Sequence, residues 1–392
     1  MIENHKTVQL KPGREGSLRR RHPWVFSGAL QPLSAELQEG DVVGVKAFGG
    51  EVVGYGHYCG GSIAVKMLSF EKSFDADAYL DKKLSRAIEL RRKLGLLGSS
   101  ETTGFRLVHA EGDDLPGLIV DLYEATAVLQ FHSVGMARWR DRLIPLLQRK
   151  LPGRLKAIYD KSKDLGTAEG PSNAYVWGEP QSGEFKENGL CFFADWEHGQ
   201  KTGFFLDQRD NRKLVGSLAS GKRVLNCFSY TGGFSVYALS GGALSVTSVD
   251  ASAAALAILE RNLERNFSNP AHRTLEADCM KFLEKLDAPY DLVILDPPAF
   301  VKHRSALRSG IKGYEFINLA ALSQIEPGGI LCTFSCSQLL PRADFYDVVE
   351  RAAKKAGREI TVISELHQAA CHPVHPNHPE GDYLKGLALE VK

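Results

Sequence analysis

The chain has 392 residues, 43% hydrophobic and 24% charged, an ordinary composition for a globular protein of two or three domains. Its 48 basic and 47 acidic side chains nearly cancel, so bulk charge announces no polyanionic partner, and a core this large needs no disulfide or metal staple. Seven scattered cysteines form no disulfide framework, no apolar run is long enough for a membrane span, and Met1–Lys6 lacks a secretory segment, so a cytoplasmic protein with no membrane partner is expected.

Residues 1–30 carry Lys6, Lys11, Arg14, Arg19, Arg20 and Arg21 against Glu3 and Glu15, a local excess of +4 that suits phosphate contacts or simply a solvated face. Val42–Lys46 and Val52–Tyr58 read as a β-hairpin around Phe48–Gly50, and Ile63–Leu68 as a further strand. With Leu10–Glu15 and Arg20–Phe26, this segment resembles a small β-barrel of the PUA type, an RNA-binding module. Residues 1–72 are assigned to it, and Lys11, Arg14, Arg20, Arg21 and Trp24 become candidates for RNA contact.

From residue 75 the pattern turns helical. Tyr79, Leu80, Leu84, Ala87, Ile88, Arg91 and Leu94 recur at three and four, which ordinary core packing explains. Strands follow at Phe105–Val108, Leu118–Asp121 and Ala127–Phe131, then a helix through Trp139–Arg149 and a strand at Ala157–Tyr159. Residues 73–185 thus read as a central α+β domain, ending in a loop or linker over Lys161–Ser182.

Residues 186–392 alternate strand and helix, the pattern of a doubly wound parallel sheet in an α/β fold. Arg223–Phe228 is a buried strand ending at Ser229–Tyr230–Thr231–Gly232–Gly233. Ser245–Val249 ends at Asp250 and Ala251, Arg273–Glu276 at Asp278, Tyr290–Leu295 at Asp296, and Gly329–Phe334 at Cys336. Ile360–Glu365 and Tyr383–Val391, joined by a Pro/His-rich loop, form a terminal hairpin.

Open α/β sheets bind ligands at the carboxyl ends of their strands. The Tyr230–Gly233 turn lets backbone approach a ligand, although it lacks the G-x-G-x-x-G pattern of a pyrophosphate cradle. Asp250, 18 residues after Gly232, can accept from both hydroxyls of a ribose, and Asp278 with Cys279 can meet an adenine amino group. The plain alternative for each acid is a helix N-cap. Such a series suits NAD or S-adenosylmethionine.

Asp296–Pro297–Pro298–Ala299–Phe300 shifts the balance away from NAD. The prolines fix φ and withhold N–H groups, leaving carbonyls to accept from an exocyclic amine. Amino methylation of a purine base fits that loop, but those enzymes usually place an aromatic directly after the second proline, where Ala299 stands. Cys336, forty residues after Asp296, points to cytosine instead. Attack of its thiolate on C6 makes C5 enamine-like, able to take a methyl group from a sulfonium. Cys332 and Cys227 read as core. Cys371–His378 superficially resembles a metal cluster but has no second ligand pair with zinc spacing, so no metal is expected.

The runs Gly199–Arg212, Val224–Phe234, Asp296–Pro298 and Thr333–Ser337, with Leu115–Gly117 and Pro379–Gly386, resemble the bacterial 23S ribosomal RNA large subunit methyltransferase I family over nearly the whole chain. The resemblance implies an N-terminal PUA domain, a central α+β domain and a seven-stranded Rossmann-like class I methyltransferase domain. It also implies 5-methylcytosine formation from S-adenosylmethionine, on 23S rRNA or the assembling large subunit; a homodimer is compatible with it. Carried onto this chain, Cys336 is the nucleophile and Asp296 holds the cytosine edge. Phe228, Tyr230, Thr231, Gly232, Gly233, Asp250, Ala251, Asp278, Cys279, Asp296 and Pro297 surround the donor, with Asp207, Gln208 and Arg209 over its methionine end. Pro297, Pro298 and Phe300 line the base pocket. Two departures stand out: Ala299 replaces a lysine often found there, and Lys163–Gly170 lacks the family's basic run.

Overall fold

Alternating apolar positions and close-approach glycines shape the N-terminal strands in the computed structural model, which describes residues 5–162 and 173–392. Strands β1 (Lys6–Gln9), β2 (Trp24–Phe26), β3 (Val42–Lys46), β4 (Val52–Tyr58) and β5 (Ile63–Ser69) pair in the order β1-β3-β4-β5-β2, with the short helix α1 (Gly16–Arg19) before β2. Val8, Val25, Val43, Val45, Val65 and Met67 face inward as one cluster. A Cβ on Gly56 would lie 2.4 Å from the Lys66 carbonyl, so only glycine lets β4 pass β5 there.

Helix α2 (Ala76–Lys93) starts where the Asp75 carboxylate accepts from Ala78 N at 2.7 Å, an N-cap. Its expected stripe is buried from Tyr79 to Arg91, but Leu94, the residue that ends the helix, is exposed. Arg91 sits in an apolar face because every donor finds a partner: a bidentate pair with Asp113 (2.5 and 2.8 Å) and bonds to the carbonyls of Arg106 (2.8 Å), Cys371 (2.7 Å) and Ala87 (3.4 Å). Strands β6 (Gly104–His109), β7 (Leu118–Tyr123), β8 (Thr126–Phe131), β9 (Ala157–Asp160) and β10 (Ala174–Gly178) pair in the order β10-β9-β8-β7-β6.

Two expectations are corrected here. Two helices, α3 (Val134–Ala137) and α4 (Arg140–Lys150), replace the single one over Trp139–Arg149. The loop read over Lys161–Ser182 contains β10, because Ala174–Gly178 finds β9 as an antiparallel partner, a pairing no local composition reveals. The segment Lys163–Gly170 lies outside the described residues.

Contacts divide the chain into two units. The first comprises Met1–Phe185, Ala194–Gly203 and Ala370–Gly381, and the second Lys186–Phe193, Phe204–Ala369 and Asp382–Lys392. The Pro/His-rich loop of the terminal hairpin therefore belongs to the first unit. Arg91 holds the Cys371 carbonyl, and the His372 ring lies 4.9 Å from that of His109.

The hairpin β11 (Glu184–Glu187) and β12 (Leu190–Phe193) precedes the second unit's sheet. That sheet comprises β13 (Arg223–Cys227), β14 (Ser245–Asp250), β15 (His272–Glu276), β16 (Leu292–Leu295), β17 (Ile330–Ser335), β18 (Ile360–His367) and β19 (Lys385–Val391). Their order is β15-β14-β13-β16-β17-β19-β18. The first five run parallel, and β19 enters antiparallel to β17. The period of two splits the strands between two cores. Val224, Leu292, Ile294 and Cys332 pack with α5 (Arg209–Leu218) and α6 (Gly233–Ser240). Leu225, Val293, Leu295 and Leu331 pack with α8 (Cys279–Glu284), α9 (Leu307–Gln324) and α10 (Arg342–Ala356). Helix α7 (Ala253–Asn266) follows β14. The strand reading assigns no element to residues 301–328, yet Leu307–Gln324 forms α9, because Tyr314, Ile317, Ala321 and Leu322 repeat at helical spacing on a buried face. The expected doubly wound sheet is present, with a Rossmann-like strand order.

Candidate functional site

Five parallel strands bring five sequence-predicted positions to one edge. In register, Cys227, Val249, Leu295 and Thr333 form a row, and Phe228, Asp250 and Asp296 stand one residue beyond it, with Cys336 three beyond on β17. Strands about 4.8 Å apart make the edge from β15 to β17 about 19 Å long, room for a nucleoside and a base side by side.

The turn after β13 is held under strain. Phe228 (φ 60°), Tyr230 (φ 48°) and Gly232 (φ 77°) all adopt left-handed backbone, rare for the two aromatic residues. Asp250 pins it, accepting from Tyr230 N at 2.8 Å and from Ser252 N at 2.9 Å. Asn262 donates to the Thr231 carbonyl at 2.8 Å. The Ser229 hydroxyl is buried and has no hydrogen-bond partner among the described residues. A glycine-backed turn, a carboxylate one strand away and an orphaned hydroxyl fit a ribose-bearing donor. Ala251 beside them is exposed.

Asp278 is the N-cap of α8, accepting from Met280 N at 2.8 Å. Cys279 contributes its side chain rather than only its backbone: the buried Sγ accepts from Phe228 N at 3.1 Å and donates to the Val249 carbonyl at 3.3 Å. It ties the ends of β13 and β14 together. Its hydrogen bond to Cys227, with burial, pushes the Cys227 thiol well above its usual range, as befits core.

Asp207, Gln208 and Arg209 are buried just ahead of α5. Tyr383 donates to Asp207 Oδ2, and Asn211 donates to Gln208 Oε1 at 2.6 Å. Phe205 meets the Tyr230 ring edge-on at 5.2 Å, so this segment borders the strained turn. Arg212 locks it in place, giving two bonds to Glu187 (2.8 and 2.6 Å) and one to the Phe205 carbonyl (2.9 Å).

At the other end, Cys336 is half-buried, whereas Ser335 and Ser337 on either side are fully buried. Cys332, inside β17, is fully buried, and burial pushes its thiol up to about 12. Asp296 is half-buried, Pro297 buried and Pro298 exposed. Phe300 lies 4.7 Å from the Tyr314 ring and close to Gly313. Ser337 joins the two loops: its Oγ accepts from Val301 N at 3.0 Å and shares a 2.8 Å bond with Tyr314 OH.

In the first unit Lys11, Arg14, Arg20 and Arg21 are exposed. Arg21 reaches a groove of about 480 Å³ lined also by Lys82, Lys83 and Arg86. Trp24 departs from this group, because its indole donates to Glu111 at 2.8 Å and its ring packs 4.3 Å from His378. The described residues contain no metal-binding group of His, Cys, Asp and Glu, and no helix long and apolar enough to cross a membrane.

The sequence gives Ser337 and Lys385 no role, although both stand inside the runs Thr333–Ser337 and Pro379–Gly386, and Tyr314 lies outside every such run.

Residues 167–377 match the family described as S-adenosylmethionine-dependent methyltransferase, and residues 8–70 that described as PUA-like domain. A ribosomal RNA large subunit methyltransferase I from Alteromonas mediterranea is 41% identical over 394 residues, covering 98% of each chain. Its namesake from Shewanella denitrificans is 41% identical over 397 residues, covering 98% of this chain and 99% of that one. Two solved structures, a SAM-dependent methyltransferase from Streptococcus mutans and a methyltransferase complexed with SAH, superpose with TM-scores of 0.85. They are 22% and 23% identical and cover 98% of this chain and 100% of theirs, a likeness of fold.

Proposed function

The chain belongs to the S-adenosylmethionine-dependent methyltransferase family, in the group of the ribosomal RNA large subunit methyltransferases I, and we propose that it forms 5-methylcytosine in 23S ribosomal RNA through a bond between Cys336 and C6 of the base. The observation that carries the reading is a half-buried cysteine, on the strand next to Asp296–Pro297–Pro298, tied to that loop by Ser337.

Bound S-adenosylmethionine supplies an electrophilic sulfonium methyl group. The chain's residues do the rest. Asp250 takes the ribose hydroxyls and Asp278 the adenine amino group. Phe228, Tyr230, Gly232 and Gly233 shape the wall between them, and Asp207, Gln208 and Arg209 border the methionine end. Asp296 accepts from the cytosine N4 amine and holds the ring edge. Cys336 as thiolate forms the S–C6 bond, and the electron pair released toward C5 takes the methyl group. Loss of the C5 proton to a base then expels the thiolate. Lys11, Arg14, Arg20 and Arg21 offer phosphate contacts that fix register without reading sequence.

Incubation with labelled donor and unmodified ribosomal RNA should place label in 5-methylcytosine. A covalent adduct should form with RNA containing 5-fluorocytosine and vanish in Cys336→Ala. Label in a methylated purine would overturn the cytosine assignment, and an adduct persisting in Cys336→Ala would remove Cys336 from its role.

A further inference from the structure

We propose that Lys385 is a positioning residue for Cys336: a buried cation that pins the turn carrying the cysteine and favours its thiolate. The inference rests on the reading of Cys336 as the nucleophile.

Lys385 opens β19, and its Cα stands opposite Ser335 in the antiparallel register, one residue from Cys336. Only 2% of it is exposed. Its Nζ donates to the Ser337 carbonyl at 2.7 Å and to the Leu340 carbonyl at 2.8 Å, the residue after Cys336 and the end of the same turn. These bonds clamp the chain where it leaves β17.

They do not neutralise the charge. Among the described residues no carboxylate forms an ion pair with Lys385. Asp382, the nearby acid, is bound by Arg342 at 3.1 and 3.3 Å. A buried ammonium is costly without an anion. The charged and titratable groups within electrostatic reach are Arg342 from α10, Asp382 from the segment before β19, and Cys336; Tyr314 from α9 faces Cys336 as well. Arg342 disfavours the charge, Asp382 is shared, and the ionised sulfur of Cys336 is the partner that completes the site. Burial holds the ammonium down to about 8, which leaves it mostly protonated at neutral pH. On ionisation Cys336 gives its proton to solvent and Lys385 keeps its own, so a thiolate comes to face an ammonium already in place and no electron changes hands.

The test is alkylation of Cys336 by iodoacetamide across pH 5 to 10, read by peptide mass spectrometry on the full chain. In wild type the reactive form should titrate about one unit below an ordinary thiol. Lys385→Met should raise that midpoint by about one unit and slow alkylation at pH 7 about tenfold, while Lys385→Arg restores it at least in part. An unchanged midpoint in a folded Lys385→Met protein overturns the proposal. If that variant does not fold, Cys336→Ser serves: wild type should gain thermal stability over it as pH rises from 7 to 9, and parallel curves overturn the proposal. Neither measurement uses RNA, so both keep their meaning even if the methylated atom proves not to be C5 of cytosine.

Discussion

Ser337→Ala removes one oxygen from the second unit and should be felt at two loops. The Ser337 Oγ is the acceptor for the amide of Val301, which is 2% exposed, and it shares a bond with the hydroxyl of the fully buried Tyr314. An amide stranded without a partner costs about 1–3 kcal/mol. The tyrosine keeps the Phe300 amide at 3.5 Å and a bond to the Ser335 side chain, so its loss is about 1 kcal/mol. The expected cost is therefore about 2–4 kcal/mol, a shift of roughly 1 M in the urea midpoint. Tyr314→Phe leaves the Val301 bond intact but takes the hydroxyl from Ser337, Ser335 and the Phe300 amide, so it should cost about 1–3 kcal/mol, and the double variant should cost less than the sum because the two share a bond. The same loss loosens the Asp296 loop against Cys336, so turnover should fall much more than donor affinity, whose residues mostly follow β13, β14 and β15. A Ser337→Ala protein that unfolds at the wild-type urea concentration would refute the loop-joining role, as would donor affinity falling in step with turnover.

Two further outcomes follow from the geometry. Gly232→Ala forces a Cβ into left-handed backbone, 2.5 Å from Leu259 Cγ, and should cost about 2–4 kcal/mol together with most donor affinity, measured by calorimetric titration with the demethylated donor product. Binding and stability at wild-type levels would show that the turn gives way instead. His57 is buried, with neither ring nitrogen bonded among the described residues and the Trp139 ring 4.4 Å away, and burial holds it down to about 3. Its folded value is depressed, so the unfolded chain takes up the proton first. The first unit should lose several kcal/mol progressively from about pH 6.5 toward pH 3, and His57→Leu should flatten that acid limb in urea titrations; coincident limbs would refute it.

Much of the second unit was legible because its information is local. A strand in a parallel sheet is a short apolar run, and the residue that ends it is read directly, which is how Asp250, Asp278, Asp296 and Cys336 come to lie along one edge. The N-cap alternative for Asp278 was legible too, and the bond to Met280 N realises it. What Trp24 touches was not legible, because its indole proton is taken by Glu111, 87 residues away.

The α/β architecture, the order of the strand ends and the chemical identity of the groups they carry follow from local patterns along the chain, since periodicity and turn chemistry act over a few residues. Tertiary structure alone decided which of those groups are held and by what. Tyr314 and Ser337 meet across 23 residues, and Lys385 reaches Ser337 across 48. Val301 finds its acceptor only when β16 and β17 lie side by side. Such contacts depend on how strands pair and helices cross, and no spacing along the chain encodes them. Thus a lysine that reads as an anomaly in an apolar strand becomes, once β19 lies beside β17, the cation behind the cysteine.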